Sequence, residues 1–209
     1  MLSLQASPGT KPGQHARPDF AELMACSRFP GDIRIVAFAG TIAQALSRPG
    51  RGPLIRGLSE DRFARLMCTC FPGITLVNGG PSGNEGSNDE FDDLLNLLLD
   101  YRANACEISD WLSCCIASAA MQENHLWQDM GLPNRAVLSS LLTENFPKLA
   151  LANAGDMKWK KFFYRQLCQR AGIALCKSPN CADCTDFSVC FGPETARPLE
   201  AARMLFAVS

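Results

Sequence analysis

Apolar residues recur at intervals of three and four positions along most of this chain, which is the spacing of buried and amphipathic helices. From residue 32 to residue 47 they fit a largely buried helix that ends before Pro49-Gly50. A second helix begins at Ser59, whose hydroxyl suits a helix N-terminus, and ends before Pro72-Gly73. The pattern therefore predicts two helices in the first third of the chain.

The helical pattern continues through the middle and later parts of the chain. Residues 89–103 open with acidic side chains and continue with leucines, which predicts a core helix. Residues 107–121 predict another helix, and residues 125–172 predict two more, broken near Pro147 and at residues 153–155. The predicted fold class is all-α: a helical bundle with a C-terminal cysteine-rich loop that holds a metal cluster.

The segments that lack this helical pattern indicate the domain boundaries. Residues 1–31 are rich in Pro, Gly and Ser and predict a flexible leader. ITLV at residues 74–77 is the only strand-like fragment, and the glycine-rich connector at 78–88 lacks the Gly-Lys-Ser/Thr ending of a phosphate-binding loop. We therefore predict a single helical domain over residues 32–193 and a C-terminal tail over residues 194–209.

Four cysteines lie close together near the end of the chain, with the spacing C-x4-C-x2-C-x5-C. They are Cys176, Cys181, Cys184 and Cys190, and this density of soft thiolate ligands predicts a metal centre. The opening C-x4-C-x2-C matches plant-type ferredoxin ligation and favours an iron–sulfur cluster. Zinc is the main alternative, although its structural sites usually pair two cysteine knuckles across a longer loop. A chance run of buried or disulfide-bonded cysteines is a third interpretation.

The remaining cysteines indicate the compartment. The total of eleven is odd and lacks the regular spacing of a secreted disulfide framework. The first twenty residues have no apolar signal-peptide core, and no apolar run reaches the length of a membrane span. We expect a cytoplasmic protein without a membrane partner. The cysteines outside the cluster are Cys26, Cys68, Cys70, Cys106, Cys114, Cys115 and Cys168.

Charge and side-chain chemistry argue against nucleic-acid binding and against enzyme activity. Twenty basic and twenty-one acidic residues give a net charge of −1, which offers no general attraction to nucleic acid. No nucleophile, base and orienting group stand out together, so we expect no catalytic residues and no enzyme activity.

The predicted helix that leads to the cluster is amphipathic. Its aromatic residues share one arc, whereas Lys158, Lys161, Arg165 and Cys168 share another. The basic arc is either a solvated face or a surface for an oxyanion such as molybdate, an anionic thiolate cluster or an acidic partner. His125 is a possible further metal ligand, although a single histidine is more often a capping or core residue.

From about residue 89 to residue 193 the chain resembles the NifQ family. The segments that carry the resemblance are DDLLNLLLDYRA, HLWQDMGL followed by NRAVLSSLL, DMKWKKFFYRQLC, and the cysteine cluster running into CFGPE. They occur in the family's order and cover about half of the chain. The first eighty residues match less clearly, and Cys68, Cys70, Cys114 and Cys115 belong to no family motif.

The resemblance implies a molybdenum donor for the iron–molybdenum cofactor of nitrogenase. Such a protein carries an iron–sulfur cluster that accepts molybdenum, from molybdate or another source, as a Mo–Fe–S unit. It passes the molybdenum to the cofactor assembly scaffold and iron protein of nitrogenase. The resemblance assigns the cluster ligands to Cys176, Cys181, Cys184 and Cys190.

Two other functions compete with this one. A zinc-stabilised helical interaction module would use the cysteines only to fix the C-terminus. An iron–sulfur DNA-repair glycosylase also ends in a four-cysteine loop, but its first gap is longer, and the near-neutral charge of this chain argues against duplex DNA.

Overall fold

The structure is a computed structural model that describes residues 17–50, 52–79, 89–173, 181 and 184–194. The described residues are helical and contain no strand, which confirms the all-α class. The helices are α1 (Phe20–Ala25), α2 (Ile33–Ser47), α3 (Glu60–Cys70), α4 (Asp89–Tyr101), α5 (Glu107–Ala120), α6 (Leu126–Asp129), α7 (Arg135–Asn145), α8 (Pro147–Ala152), α9 (Trp159–Arg170) and α10 (Phe187–Phe191).

Three of the longer helices, α2, α3 and α7, begin where the sequence places a capping side chain. Asp32 accepts a hydrogen bond from the backbone N–H of Arg34 at 2.9 Å at the start of α2. Ser59 caps α3, and Asn134 caps α7 by accepting from the N–H of Val137 at 3.0 Å. Each cap satisfies a backbone donor that the first helical turn cannot pair.

Residues 125–172 form four helices, not the two that the sequence predicted. The extra helices are the single turn α6 and the short α8, which begins at Pro147. Proline suits the first turn of a helix because its missing N–H would have no intrahelical partner there. The break near Pro147 was therefore correctly placed, but the proline begins a new helix rather than only ending one.

The predicted leader is ordered in its second part. Residues 20–25 form α1, which begins with a capping box between Asp19 and Glu22 and buries Leu23 completely. A helix of six residues is too short to show a clear apolar period, which explains why the sequence did not reveal it. Residues 1–16 of the predicted leader lie outside the described residues.

The strand-like fragment ITLV is an extended segment that leads into a buried asparagine. The Asn78 amide donates to the backbone oxygens of Ile55 and Leu58 at 3.0 and 2.8 Å and accepts from the N–H of Ile55 at 2.9 Å. One side chain thereby ties the segment after α3 to the segment before it. Most of the predicted 78–88 connector lies outside the described residues.

The core lies between α2, α4 and α5, and α5 is buried over most of its length. Cys114 and Cys115 pack inside it, as their positions on the predicted helix indicated. The Cys115 thiol lies 3.0 Å from the Thr41 hydroxyl, and burial raises the pKa of Cys115 to about 12. These cysteines are therefore protonated packing residues. None of the helices in the described part of the chain is long and apolar enough to cross a bilayer.

Two glycines let α2 touch the turn between α6 and α7. A Cβ on Gly40 would lie 2.2 Å from the carbonyl oxygen of Met130, and a Cβ on Gly131 would lie 2.8 Å from the Cα of Gly40. Gly131 also has a φ of +62°, a conformation that L side chains rarely adopt. The backbone contact therefore requires glycine on both sides.

Gly40→Ala is expected to lower the free energy of unfolding by about 1–3 kcal/mol, because the added methyl group meets a backbone oxygen that has little room to move. Urea unfolding followed by circular dichroism measures the change. Gly31→Ala is the matched control, because a Cβ at Gly31 has nothing within 4 Å. Equal stability of the two variants would contradict the close contact.

Candidate metal centre

Helix α9 has a buried aromatic face and a more exposed basic face. Trp159, Phe162 and Phe163 are buried, and the rings of Trp159 and Phe162 meet edge to face with centroids 5.8 Å apart. Lys161 on the other arc is exposed, and Arg165 is half-buried. The two arcs predicted from the sequence are therefore confirmed. The aromatic face anchors the helix so that the basic face borders the cysteine loop.

An ion pair with a buried carboxylate holds α9 against the rest of the bundle. Lys160 Nζ lies 2.6 Å from Asp129 Oδ2 and also donates to the backbone oxygen of Gln122. The Asp129 side chain is only 3% exposed, and it also accepts from the N–H of Asn124 at 3.0 Å. Burial lowers the pKa of Lys160, and the hydrogen bond to Asp129 opposes this shift. The pair connects α9 to α6 and to the loop before it.

A cavity of about 660 Å³ opens beside α9. Its walls come from the exposed side of α9, the first turns of α4, the end of α5 and the cysteine loop. Cys181 and Cys190 line it from the loop, and Cys168 lines it from α9. The cavity therefore places a thiol that the cysteine motif does not include beside two that it does.

Three of the four predicted ligands fall within the described residues. Cys181, Cys184 and Cys190 are half-buried free thiols, whereas Cys176 lies outside the described part of the chain. The N–H of Cys184 donates to the backbone oxygen of Cys181 at 3.2 Å. Among the described residues no group of three or more His, Cys, Asp or Glu side chains comes together closely enough to hold a metal ion.

A guanidinium group lies beside one of the predicted ligands. Arg165 Nη1 is 3.5 Å from Cys181 Sγ, within the range of a hydrogen bond to sulfur. A guanidinium at this distance would offset the negative charge of thiolate ligands in a metal cluster bound there. The chemistry of the donor set thus fits a thiolate-bound cluster.

The end of the cysteine loop is held on the bundle by a second polar contact, which we term the Glu194 latch: Glu194 with Arg135 and His125. The Glu194 side chain is 5% exposed, with its Oε1 3.4 Å from Arg135 Nη1 and 3.8 Å from His125 Nδ1. Arg135 also donates to the backbone oxygens of Asp156 and Met157. Glu194 is the first residue of the predicted C-terminal tail, but its side chain is packed against the bundle.

Backbone contacts reinforce the latch. The N–H of Lys158 donates to the oxygen of Cys190 at 2.8 Å, and Lys158 Nζ lies 3.4 Å from the oxygen of Ser188. These contacts hold the short helix α10 against the turn that precedes α9. Its position leaves Cys190 at the edge of the cavity.

His125 takes part in the latch, and its proposed role as a metal ligand stays a prediction. It precedes α6, and its backbone N–H donates to Gln128 Oε1 at 3.2 Å. Asp129, Arg135 and Glu194 border the site in the structure but were not predicted from the sequence. Their segments, HLWQD, NRAVL and CFGPE, were visible in the sequence, but the pairing of distant residues was not.

Asp129→Asn is expected to lower the free energy of unfolding by about 2 kcal/mol, because it leaves the partly buried Lys160 ammonium without its anion. Asp100→Asn is the matched control. Asp100 pairs with Arg170 at 2.9 Å, but its side chain is 64% exposed, so its loss is expected to cost less than about 1 kcal/mol. Chemical unfolding of both variants measures the difference, and comparable losses would contradict the structural role of the Asp129–Lys160 pair.

Glu194→Gln is expected to loosen the cysteine loop while the bundle stays folded, because the latch loses its anion. Amide exchange of residues 184–194 should speed up about tenfold, as expected when a hydrogen bond between charged groups is weakened. Hydrogen exchange with mass spectrometry measures this locally. Glu144→Gln, at an exposed position on α7, is the control. Unchanged exchange in residues 184–194 would show that the latch does not hold the loop.

Comparison with known proteins extends the resemblance beyond the segments seen in the sequence. The NifQ family model matches residues 37–192, so the match includes most of α2 and reaches past the cysteine cluster. Protein NifQ of Azotobacter vinelandii is 39% identical over 155 residues, covering 68% of this chain and 80% of that protein. No solved structure matches the chain significantly.

Two further relatives agree with this assignment. Protein NifQ of Rhodobacter capsulatus is 40% identical over 148 residues, covering 69% of this chain and 81% of that protein. The protein NifQ homolog of Sinorhizobium fredii is 40% identical over 182 residues, covering 80% of this chain and 77% of that protein. The chain therefore belongs to the NifQ family and has a role in the biosynthesis of the iron–molybdenum cofactor of nitrogenase.

Proposed function

We propose that this protein carries molybdenum as a Mo–Fe–S cluster and donates it for assembly of the iron–molybdenum cofactor. The cluster is its cargo, and Cys176, Cys181, Cys184 and Cys190 are its ligands. The observation that carries the proposal is the guanidinium of Arg165 beside Cys181, in a loop of free thiols that borders an open cavity.

The environment of the thiols supports ligation rather than packing. Cys181, Cys184 and Cys190 are half-buried, whereas Cys114 and Cys115 are buried in the core. Burial raises the pKa of Cys114 to about 11, which keeps that thiol protonated and poor as a ligand. The two groups of cysteines therefore differ in how accessible their sulfur atoms are to a metal.

A carrier must also release what it holds. The loop lies at the surface of the bundle, and Phe187 and Val189 on α10 are exposed. An accessible loop permits ligand exchange with a second protein more easily than a core site would. We infer that the receiving partners are the cofactor assembly scaffold and the iron protein of nitrogenase, that the source is molybdate or another molybdenum donor, and that the transfer takes place in the cytoplasm without catalysis by this chain.

The proposal is tested by purifying the protein without oxygen from cells grown with molybdate and measuring Mo, Fe, Zn and acid-labile sulfide. We expect iron, sulfide and molybdenum together in the wild-type protein. Cys181→Ser and Cys184→Ser should each reduce molybdenum to the level of metal-free protein, because a cluster that loses a ligand is not retained.

Cys68→Ser is the matched control for these variants, since Cys68 is an exposed thiol on α3 outside the cluster. It should retain the wild-type metal content. Zinc without sulfide would contradict the carrier function and favour a zinc-stabilised interaction module. Full molybdenum content in both ligand variants would show that other residues hold the cargo.

A further inference from the structure

The cavity beside α9 has a charge asymmetry. Among its described lining residues Lys160, Lys161 and Arg165 are cationic, whereas Glu90 is the one acidic side chain. The Glu90 carboxylate accepts a hydrogen bond from the Tyr164 hydroxyl, so part of its hydrogen-bonding capacity is already used. The wall of the cavity therefore presents a net positive charge.

The three cations differ in how many hydrogen-bond and ion-pair partners they already have. Lys160 is committed to Asp129 and to the oxygen of Gln122. Arg165 contacts Cys181 Sγ through Nη1, which leaves the other N–H groups of its fork available for an anion. Lys161 is exposed and makes no hydrogen bond or ion pair to another residue in the described part of the chain. Lys161 and Arg165 are thus the lining cations whose charge no carboxylate neutralises in the described part of the chain.

Their positions suit a single small anion. Lys161 and Arg165 are four residues apart on α9, so their side chains leave the same face of the helix. Much of the remaining wall is apolar, from Leu94, Ala120 and Met121, and an apolar wall strengthens the attraction between an anion and the two cations. Cys181 and Cys190 line the same space.

We propose that Lys161 and Arg165 form a binding subsite for a tetrahedral divalent oxyanion, with molybdate as its ligand. The subsite is separate from the cysteine ligands and holds the oxyanion beside them before molybdenum enters a cluster. This inference rests on the proposed function, because only a molybdenum carrier needs its metal source at this position. A guanidinium fork and an ammonium group are the side chains that bind tetrahedral oxyanions.

Equilibrium dialysis of the full chain against molybdate, without oxygen or added iron and at low ionic strength, tests the subsite. Lys161→Gln and Arg165→Gln are each expected to weaken binding about tenfold, which corresponds to about 1.4 kcal/mol. Arg165→Lys should recover part of the loss because it keeps the charge without the fork. Lys148→Gln, at an exposed position on α8 away from the cavity, should bind as the wild type does.

Sulfate distinguishes the cationic subsite from ligation by thiols. Sulfate has the shape and charge of molybdate but does not coordinate cysteine, so it should displace molybdate from the subsite. If sulfate fails to displace molybdate and alkylation of the thiols abolishes binding, the cysteines hold the oxyanion and the subsite is wrong. Wild-type binding by Lys161→Gln would also overturn it, and this variant is expected to fold because Lys161 is exposed.

The subsite and the carrier function can fail separately. Cys184→Ser should still bind molybdate, because Cys184 is not among the residues that line the cavity, while losing the Mo–Fe–S cargo. A wild-type protein that assembles the cargo but binds no free molybdate would overturn the subsite and leave the carrier function intact. A protein that binds molybdate at Lys161 and Arg165 but acquires neither iron nor sulfide would refute the carrier function instead.

Discussion

The ion pair between Asp129 and Lys160 fixes where α9 lies, and the position of α9 decides where the cysteine loop can sit. The Asp129 carboxylate is buried, the Lys160 ammonium is partly buried, and the two residues are 31 positions apart. Because a buried charge without its partner is costly, α9 has one favourable position on the bundle. From that position its aromatic face closes the core, and its basic face forms a wall of the cavity beside Cys181 and Cys190.

The helical bundle and the cysteine loop differ in how they are held in place. The helices bury their apolar faces and use Gly40 and Gly131 to bring backbones into contact, which fixes the scaffold. In the described part of the cysteine loop, Cys181, Cys190 and Phe191 are only partly buried against the core, and the Glu194 latch holds the end of the loop. A cargo bound to such a loop lies at the surface, where a partner protein can reach it, while the bundle retains its shape.

The sequence predicted the elements whose signals are local. The long helices carry their own apolar period, and α2 and α3 also have capping side chains, so α2, α3, α4 and α5 were predicted within about two residues of their observed ends. The helices α1 and α6 have six and four residues, too few for a period to appear. The partners of the site were missed for another reason, since Asp129–Lys160 and Arg135–Glu194 depend on how distant segments pack. The assignment of the four ligands rests on cysteine spacing and family resemblance and stays a prediction.

X-ray absorption at the molybdenum edge of the anaerobically purified protein reports which atoms surround the metal. We expect molybdenum to have sulfur atoms in its first shell and iron atoms beyond them, as in a Mo–Fe–S cluster held by cysteines. A first shell of oxygen atoms alone, without iron neighbours, would mean that the protein binds only an oxyanion and would contradict the role of the cysteine loop as the holder of the cluster.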